Sequence, residues 1–115
     1  MTRSTDYDPQ ALLTCINGDM DLARELAVLY VEKEAQLVVE LQSAVSAADA
    51  AAIQRTCHAL KGMLGTVRAE GAATLAAAVE DLARVDALGD IPRVLDDLHK
   101  ALAPVRTALS NVAHG

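Results

Sequence analysis

The chain has 115 residues, 52% of them hydrophobic, with Tyr7 and Tyr30 as its only aromatic residues and a formal net charge of −6. A chain of this length is expected to form one domain, residues 1–115, with a core that needs no disulfide or metal. Its acidity argues against nucleic acid or an anionic membrane as partner, since both require basic surface. No apolar run reaches the roughly 18–20 residues of a membrane span, and no signal-peptide pattern opens the chain, so a cytoplasmic location is expected.

The apolar content is mostly Ala, Leu and Val, with 23 alanines. Ala and Leu lead the helix-propensity ranking, and small side chains let helices approach closely, so the fold class is all-α. Residues 1–7 are mostly polar and expected to be flexible. Asp8 and Pro9 open a short helix to about Ile16, and Asn17-Gly18 marks a turn. Asp19 caps a long helix, about Met20 to Ala47. Its apolar stripe reads Leu22, Leu26, Leu29/Tyr30, Leu37, Leu41 and Ala44/Val45, with Lys33 near the middle and expected to snorkel or to lie beyond the end of the bundle. Asp49 caps a third helix, about Ala50 to Val67.

A fourth helix is predicted from about Glu70 to Ala87, burying Leu75, Val79 and Leu82 and ending at Gly89. Asp90 and Pro92 start a fifth, whose stripe is Ile91, Val94/Leu95, Leu98, Leu102, Val105, Leu109 and Val112. Pro104 lies inside that stripe and should kink or break it. Short loops make neighbouring helices antiparallel, so the expected architecture is an up-down four-helix bundle with a short extra N-terminal helix. Cys15 and Cys57 are far apart and have no metal-ligand spacing. Both are expected to be free, small, buried hydrophobes.

The third helix carries the candidate chemistry. At about 100° per residue, Ile53, Cys57, Leu60, Met63, Leu64 and Val67 share one arc, the core face. The opposite arc holds Ala51, Gln54, Arg55, His58, Lys61, Gly62 and Gly65, with His58 at its centre. Gly62 and Gly65 lie four and seven residues after His58, one and two turns along the same face. Each costs about 1 kcal/mol against Ala inside a helix. They leave a bare strip on which a second protein can be laid, although Gly65 is also consistent with an early helix end.

Between Ala50 and Ala69 the chain has none of its 16 acids, yet it has Arg55, Lys61 and Arg68. Such a locally cationic face suits an anionic visitor. Lys61, three residues from His58, is placed to stabilise charge on a transferring phosphoryl group. Arg55 is either a second such cation, a partner contact or an ordinary solvated charge. A neutral imidazole is nucleophilic near neutral pH and forms covalent phosphoryl intermediates.

At these residues the sequence resembles the histidine-containing phosphotransfer (HPt) family. The segment Thr56-Cys57-His58-Ala59-Leu60-Lys61-Gly62 resembles its H-x-x-K-G signature. Leu26 to Asp49 is similar to its long second helix and the Asp turn before the active helix. Asp8-Pro9-Gln10-Ala11-Leu12, followed by Gly18-Asp19, is similar to its opening. Leu75 to Leu82 is similar to the helix behind the histidine. The likeness spans about Asp8 to Ala87, and the last helix matches in pattern only.

The resemblance implies that His58 is the phosphoacceptor, Lys61 its charge-stabilising neighbour and Gly62 the small residue that admits the partner. The partners would be receiver domains of a response regulator or hybrid sensor kinase. The chain itself would hold no cofactor or metal; Mg²⁺ belongs to the receiver. Gln54, Arg55, Gly65 and Arg68 are the candidate docking residues. Met63 and Leu64 stand where the family often has small residues, and Arg68 stands where it often has Gly.

Many such domains are the C-terminal module of a hybrid kinase and others stand free; as an isolated domain, this one is expected to be monomeric. With no kinase ATP motif, it would relay phosphate without autokinase activity. The competing reading is a helical docking or dimerisation module without phosphate chemistry. His99 flanks the last apolar stripe and His114 lies in the tail, neither with a second ligand at metal spacing.

Overall fold

The computed structural model describes residues 7–115, so the expected looseness of residues 1–6 falls outside it. Tyr7, grouped with that segment, is tied down: its hydroxyl donates to the Val67 carbonyl at 2.6 Å. Five α-helices follow in order: α1 Gln10–Cys15, α2 Met20–Ser46, α3 Ala50–Thr66, α4 Glu70–Arg84 and α5 Ile91–His114. A single 3-10 turn, Leu88–Asp90, leads into α5. Helix α2 packs on α3 and α5, and α4 packs on α3 and α5, which closes a four-helix bundle. The short α1 lies against α2 and adds Leu12 to the core.

Local chemistry sets the boundaries. Asp19 accepts from the Leu22 amide at 3.0 Å and Asp49 from the Ala52 amide at 3.1 Å, so both act as N-caps. Asp8 accepts from the Gln10 amide at 2.9 Å, although Pro9 holds the capping position. Asp90 makes no side-chain cap; Pro92, pre-shaped for a first turn, opens α5 instead.

Four helix-ending turns use a left-handed residue other than glycine: Asn17 (φ 58°), Ala48 (52°), Arg68 (65°) and Asp86 (59°). The following amide then reaches back five residues: Gly18 to Leu13 (2.7 Å), Asp49 to Ala44 (3.0 Å), Ala69 to Leu64 (2.8 Å) and Ala87 to Leu82 (2.8 Å). This back-bonding closes the helix ends. Helix α4 therefore stops at Arg84, and Gly89, predicted as its terminator, sits in the 3-10 turn.

Alanine decides which stripe is innermost. Along α2 the fully covered positions are Ala23, Ala27, Glu34 and Leu41, whereas Leu22 and Leu29 remain 37% and 65% exposed. Along α4, Ala72, Ala76, Val79 and Ala83 are buried, while Leu75 and Leu82 are only partly covered. Small residues form the seams and leucines flank them. Lys33 is exposed, as a snorkelling side chain should be, and its neighbour Glu34 takes the buried slot. Helix α5 continues through Pro104 without a break. Ala101, Leu102 and Val105, all buried, hold it on either side of the missing amide donor.

Candidate functional site

Helix α3 buries Ile53, Cys57, Leu60 and Leu64 and turns the opposite face to solvent, where His58 stands 70% exposed by its side chain. Arg55, Gly62 and Gly65 share the exposed ridge, with Gln54 and Lys61 half-buried on its α4 side. Beyond the backbone of its own helix turn and its chain neighbours, a Cβ built on Gly62 or Gly65 would meet nothing within 4 Å. Neither glycine is needed for packing within this chain, and neither has a positive φ. Gly65 also does not end α3, because Arg68 supplies the left-handed turn.

The family's frequent small residues are replaced without loss of the strip. Leu64 is fully buried, and Met63 turns sideways to line, with Leu26, Leu29 and Tyr30, a groove of about 600 Å³ between α2 and α3.

One acid enters this cationic face from α4. The Glu80 carboxylate sits 3.1 Å from His58 Nδ1 through Oε2, and accepts from Lys61 Nζ at 2.9 Å through Oε1. Its side chain is only 14% exposed. The hydrogen bond from Lys61 is the main force holding the Glu80 carboxyl below its ordinary value; burial opposes this, and His58 adds to the lowering. An ionised carboxylate can only accept, so the proton of this contact belongs to His58 Nδ1. Burial pushes the adjacent Cys57 thiol up to about 12, which keeps it protonated and unreactive beside the imidazole.

Glu80 was not among the residues singled out from the sequence. A signal existed. An antiparallel α3–α4 pair folds back at Arg68–Ala69, and His58 and Glu80 lie equally far from Ala69 on either side. The absence of acids within α3 therefore did not mean an absence of acids at its face.

The remaining candidates are dispersed. Arg55 lines a second α2–α3 groove with Lys33 and Glu40. Arg68 lies ten residues beyond His58, about 15 Å along the axis, and its Nε donates to Cys15 Sγ at 3.0 Å. Cys15 is exposed, against the expectation of burial, because the short α1 turns it outward, while Cys57 is buried. His114 Nδ1 lies 2.8 Å from the Ser110 carbonyl, and His99 Nε2 is buried without a hydrogen-bond partner. Among the described residues, no three His, Cys, Asp or Glu side chains gather as a metal site would require. No helix there is long and apolar enough to cross a membrane.

No curated protein and no solved structure matches the chain. A family model described as the Hpt domain matches residues 25–113, which takes in α3 with His58 and all of α4 and most of α2 and α5. The chain therefore belongs to the Hpt family, the histidine-containing phosphotransfer domains of two-component relays.

Proposed function

We propose that His58 accepts a phosphoryl group from the aspartyl phosphate of one receiver domain and passes it to the aspartate of another. The observation that carries this reading is an exposed imidazole at the centre of the α3 ridge, with Nε2 unencumbered, Lys61 beside it and two open glycine positions along the same face. The donor is already activated, because an acyl phosphate has a good leaving group. The domain's task is positioning and charge stabilisation. Lys61 is the nearest cation for the phosphoryl oxygens, and Gly62 is the clearance that lets the receiver's active site reach the ring. Gln54, Arg55 and Gly65 lie under the receiver's footprint, with Arg68 at its far edge. The Mg²⁺ of the reaction is the receiver's own.

His58→Gln tests the assignment. The variant should melt with the wild type, since the side chain is largely solvated, and should take up no acid-labile phosphate from a phosphorylated receiver or from acetyl phosphate. Normal uptake by the variant, or phosphate mapped to His99 or His114, would overturn it. A wild-type chain that binds receivers and never carries phosphate would favour the docking-module reading.

A further inference from the structure

We infer that Tyr7 is a positioning residue for receiver docking: from the segment before α1 it braces the C-terminal turn of α3 and so keeps the Gly62–Gly65 strip helical for the incoming domain. The inference rests on the reading of His58 as acceptor and of that strip as the docking surface. It goes beyond that reading by giving a task in the transfer to a side chain from the opening of the chain.

The last turn of α3 is poorly made for a helix. Gly62 and Gly65 both fall among its final five residues, and glycine loses more backbone entropy on folding than any other residue. The Thr66 hydroxyl donates back to the Gly62 carbonyl at 3.0 Å, a bond that bends and slightly loosens a helix. Arg68 then turns the chain at φ 65°, a left-handed conformation that is costly for a residue with a Cβ. Leu64 and Val67 are buried and anchor the inner face of this turn, but neither glycine position touches the rest of the chain. Such an end frays readily.

Two bonds from the opening of the chain oppose the fraying. The Tyr7 hydroxyl donates to the Val67 carbonyl at 2.6 Å, one of the carbonyls that a helix end leaves without an intrahelical partner. At the next residue, Arg68 Nε donates to Cys15 Sγ at 3.0 Å. The first bond is the stronger, because it is short and half-sheltered, whereas sulfur is a weak acceptor and Arg68 is exposed. Burial, with the Asp8 charge, pushes the Tyr7 hydroxyl up to about 12, so it stays a donor at neutral pH. The Tyr7 ring also packs against the core. Val67 is nine residues beyond His58, roughly 13 Å along the axis, so the brace reaches the imidazole only through the helix between them. If the turn unwinds, a receiver must rebuild it on docking, and its apparent affinity falls with the fraction of molecules in which the turn is formed.

The test compares wild type, Tyr7→Phe, Tyr7→Ala and Ile91→Val. The phenylalanine keeps the ring and loses the hydroxyl; the alanine loses both. Ile91 is buried where α5 begins, at the other end of α4 from Val67. Trimming it to valine is a control that weakens the fold by about as much as one lost hydrogen bond. Amide exchange is read at Val67, Arg68 and Ala69, whose N–H groups bond back to Met63, Gly65 and Leu64. Transfer is read against the concentration of a receiver domain phosphorylated with acetyl phosphate and then freed of it, with phosphoramidate labelling of His58 beside it. The three amides should exchange several-fold faster in Tyr7→Phe, faster still in Tyr7→Ala, and at the wild-type rate in Ile91→Val. The half-saturating receiver concentration should rise about twofold in Tyr7→Phe and about fivefold in Tyr7→Ala. The rate at saturating receiver and the phosphoramidate labelling should not change. An Ile91→Val chain that matches Tyr7→Phe in exchange or half-saturation, an unchanged half-saturation in Tyr7→Ala, or a loss confined to the saturating rate or to phosphoramidate labelling would each overturn the role of Tyr7. Phosphate uptake by His58→Gln would instead overturn the acceptor reading beneath it.

Discussion

Two glutamates in this bundle each gather two donors, and they differ in what covers them. Glu34 on α2 is 1% exposed; it accepts from the Tyr30 hydroxyl at 2.9 Å and from Arg106 Nε on α5 at 2.5 Å. Glu80 on α4 gathers His58 and Lys61 at the rim, where the imidazole is 70% exposed and the lysine 39%. The Glu34 group ties α2 to α5 inside the bundle, and burial with the neighbouring carboxylate pushes the Tyr30 hydroxyl well above its ordinary pKa. It resists rearrangement because neither Glu34 nor Tyr30 has water to turn to. The Glu80 group is free to exchange partners, because His58 and Lys61 both reach solvent. The same constellation is a fixed clamp when buried and an adaptable cluster when half open.

The sharpest way to break that comparison is to remove each carboxylate in turn. Glu34→Ala strands a buried tyrosine hydroxyl, removes the partner of Arg106 and leaves a void. The expected cost is about 2–4 kcal/mol, the upper range being limited because Arg106 can rehydrate. Phosphate acceptance at a temperature where the variant is folded should be unchanged. Glu80→Ala should cost under about 1 kcal/mol, as exposed pairs do, while altering the chemistry of His58. Denaturant unfolding of both variants checks this, and equal stability losses would erase the distinction between clamp and site.

The two glutamates also show where sequence reading reaches and where it stops. His58 and its bare face were legible because helical spacing alone puts residues 58, 62 and 65 on one ridge, and α3 carries no competing apolar residue there. The all-α bundle was legible from alanine, leucine and cap residues at Asp19 and Asp49. Neither glutamate partnership was read, although the fold-back about Ala69 offered a signal for Glu80. Glu34 sits one residue from Lys33 in a stripe where a charge was expected to escape, and only the distant Arg106 makes its burial tolerable. The depth order within α2 and α4 was also hidden, since a hydrophobic scale ranks Leu29 above Ala27, whereas the seam between helices accepts only the smaller. The breaks near Ala48 and Arg68 followed from the helix bounds on either side, but the turn at Asp86 was missed and α4 carried on to Ala87, because Asp86 adopts a glycine-like φ without glycine.

A second prediction separates access from chemistry within the open site. Gly62→Gln should stay folded, because the added side chain meets no atom of this chain at its root. Yet it stands one turn from the ring, where a receiver must bring phosphorus within reach of Nε2. Displacement by about 1 Å can cost on the order of a hundredfold in rate. Receiver-dependent transfer should fall by about that factor, while labelling by phosphoramidate falls far less. Parallel losses with both donors, tracking a lower melting temperature, would make Gly62 a packing residue.

Lys61→Ala should have a smaller effect. It removes one half-exposed cation, and the solvated Arg55 remains on the same ridge, so transfer should slow by about threefold to tenfold, in line with roughly 1 kcal/mol for a partly screened charge. Single-turnover transfer from a phosphorylated receiver measures it directly. An unchanged rate would leave Lys61 with no part in stabilising the phosphoryl charge.

The smallest expected effect is a pH dependence that belongs to the open cluster. The Glu80 carboxyl titrates below its ordinary 4.5 in the folded chain, first because of the hydrogen bond from Lys61. A carboxyl with a depressed folded value binds protons more readily when unfolded. Its stabilising contribution is therefore complete above about 4.5 and is lost as pH falls through the lower folded value. Glu80→Gln removes that titration and keeps the shape. The melting-temperature difference between wild type and Glu80→Gln should be constant near neutral pH and shrink toward zero, or reverse, in acid below the ordinary carboxylate range. It should also shrink in high salt at neutral pH, because Lys61 is partly exposed and its attraction is screened. A difference that stays constant through the acid range would mean that Glu80 gains nothing from its charge, and would leave its bond to Lys61 without energetic weight.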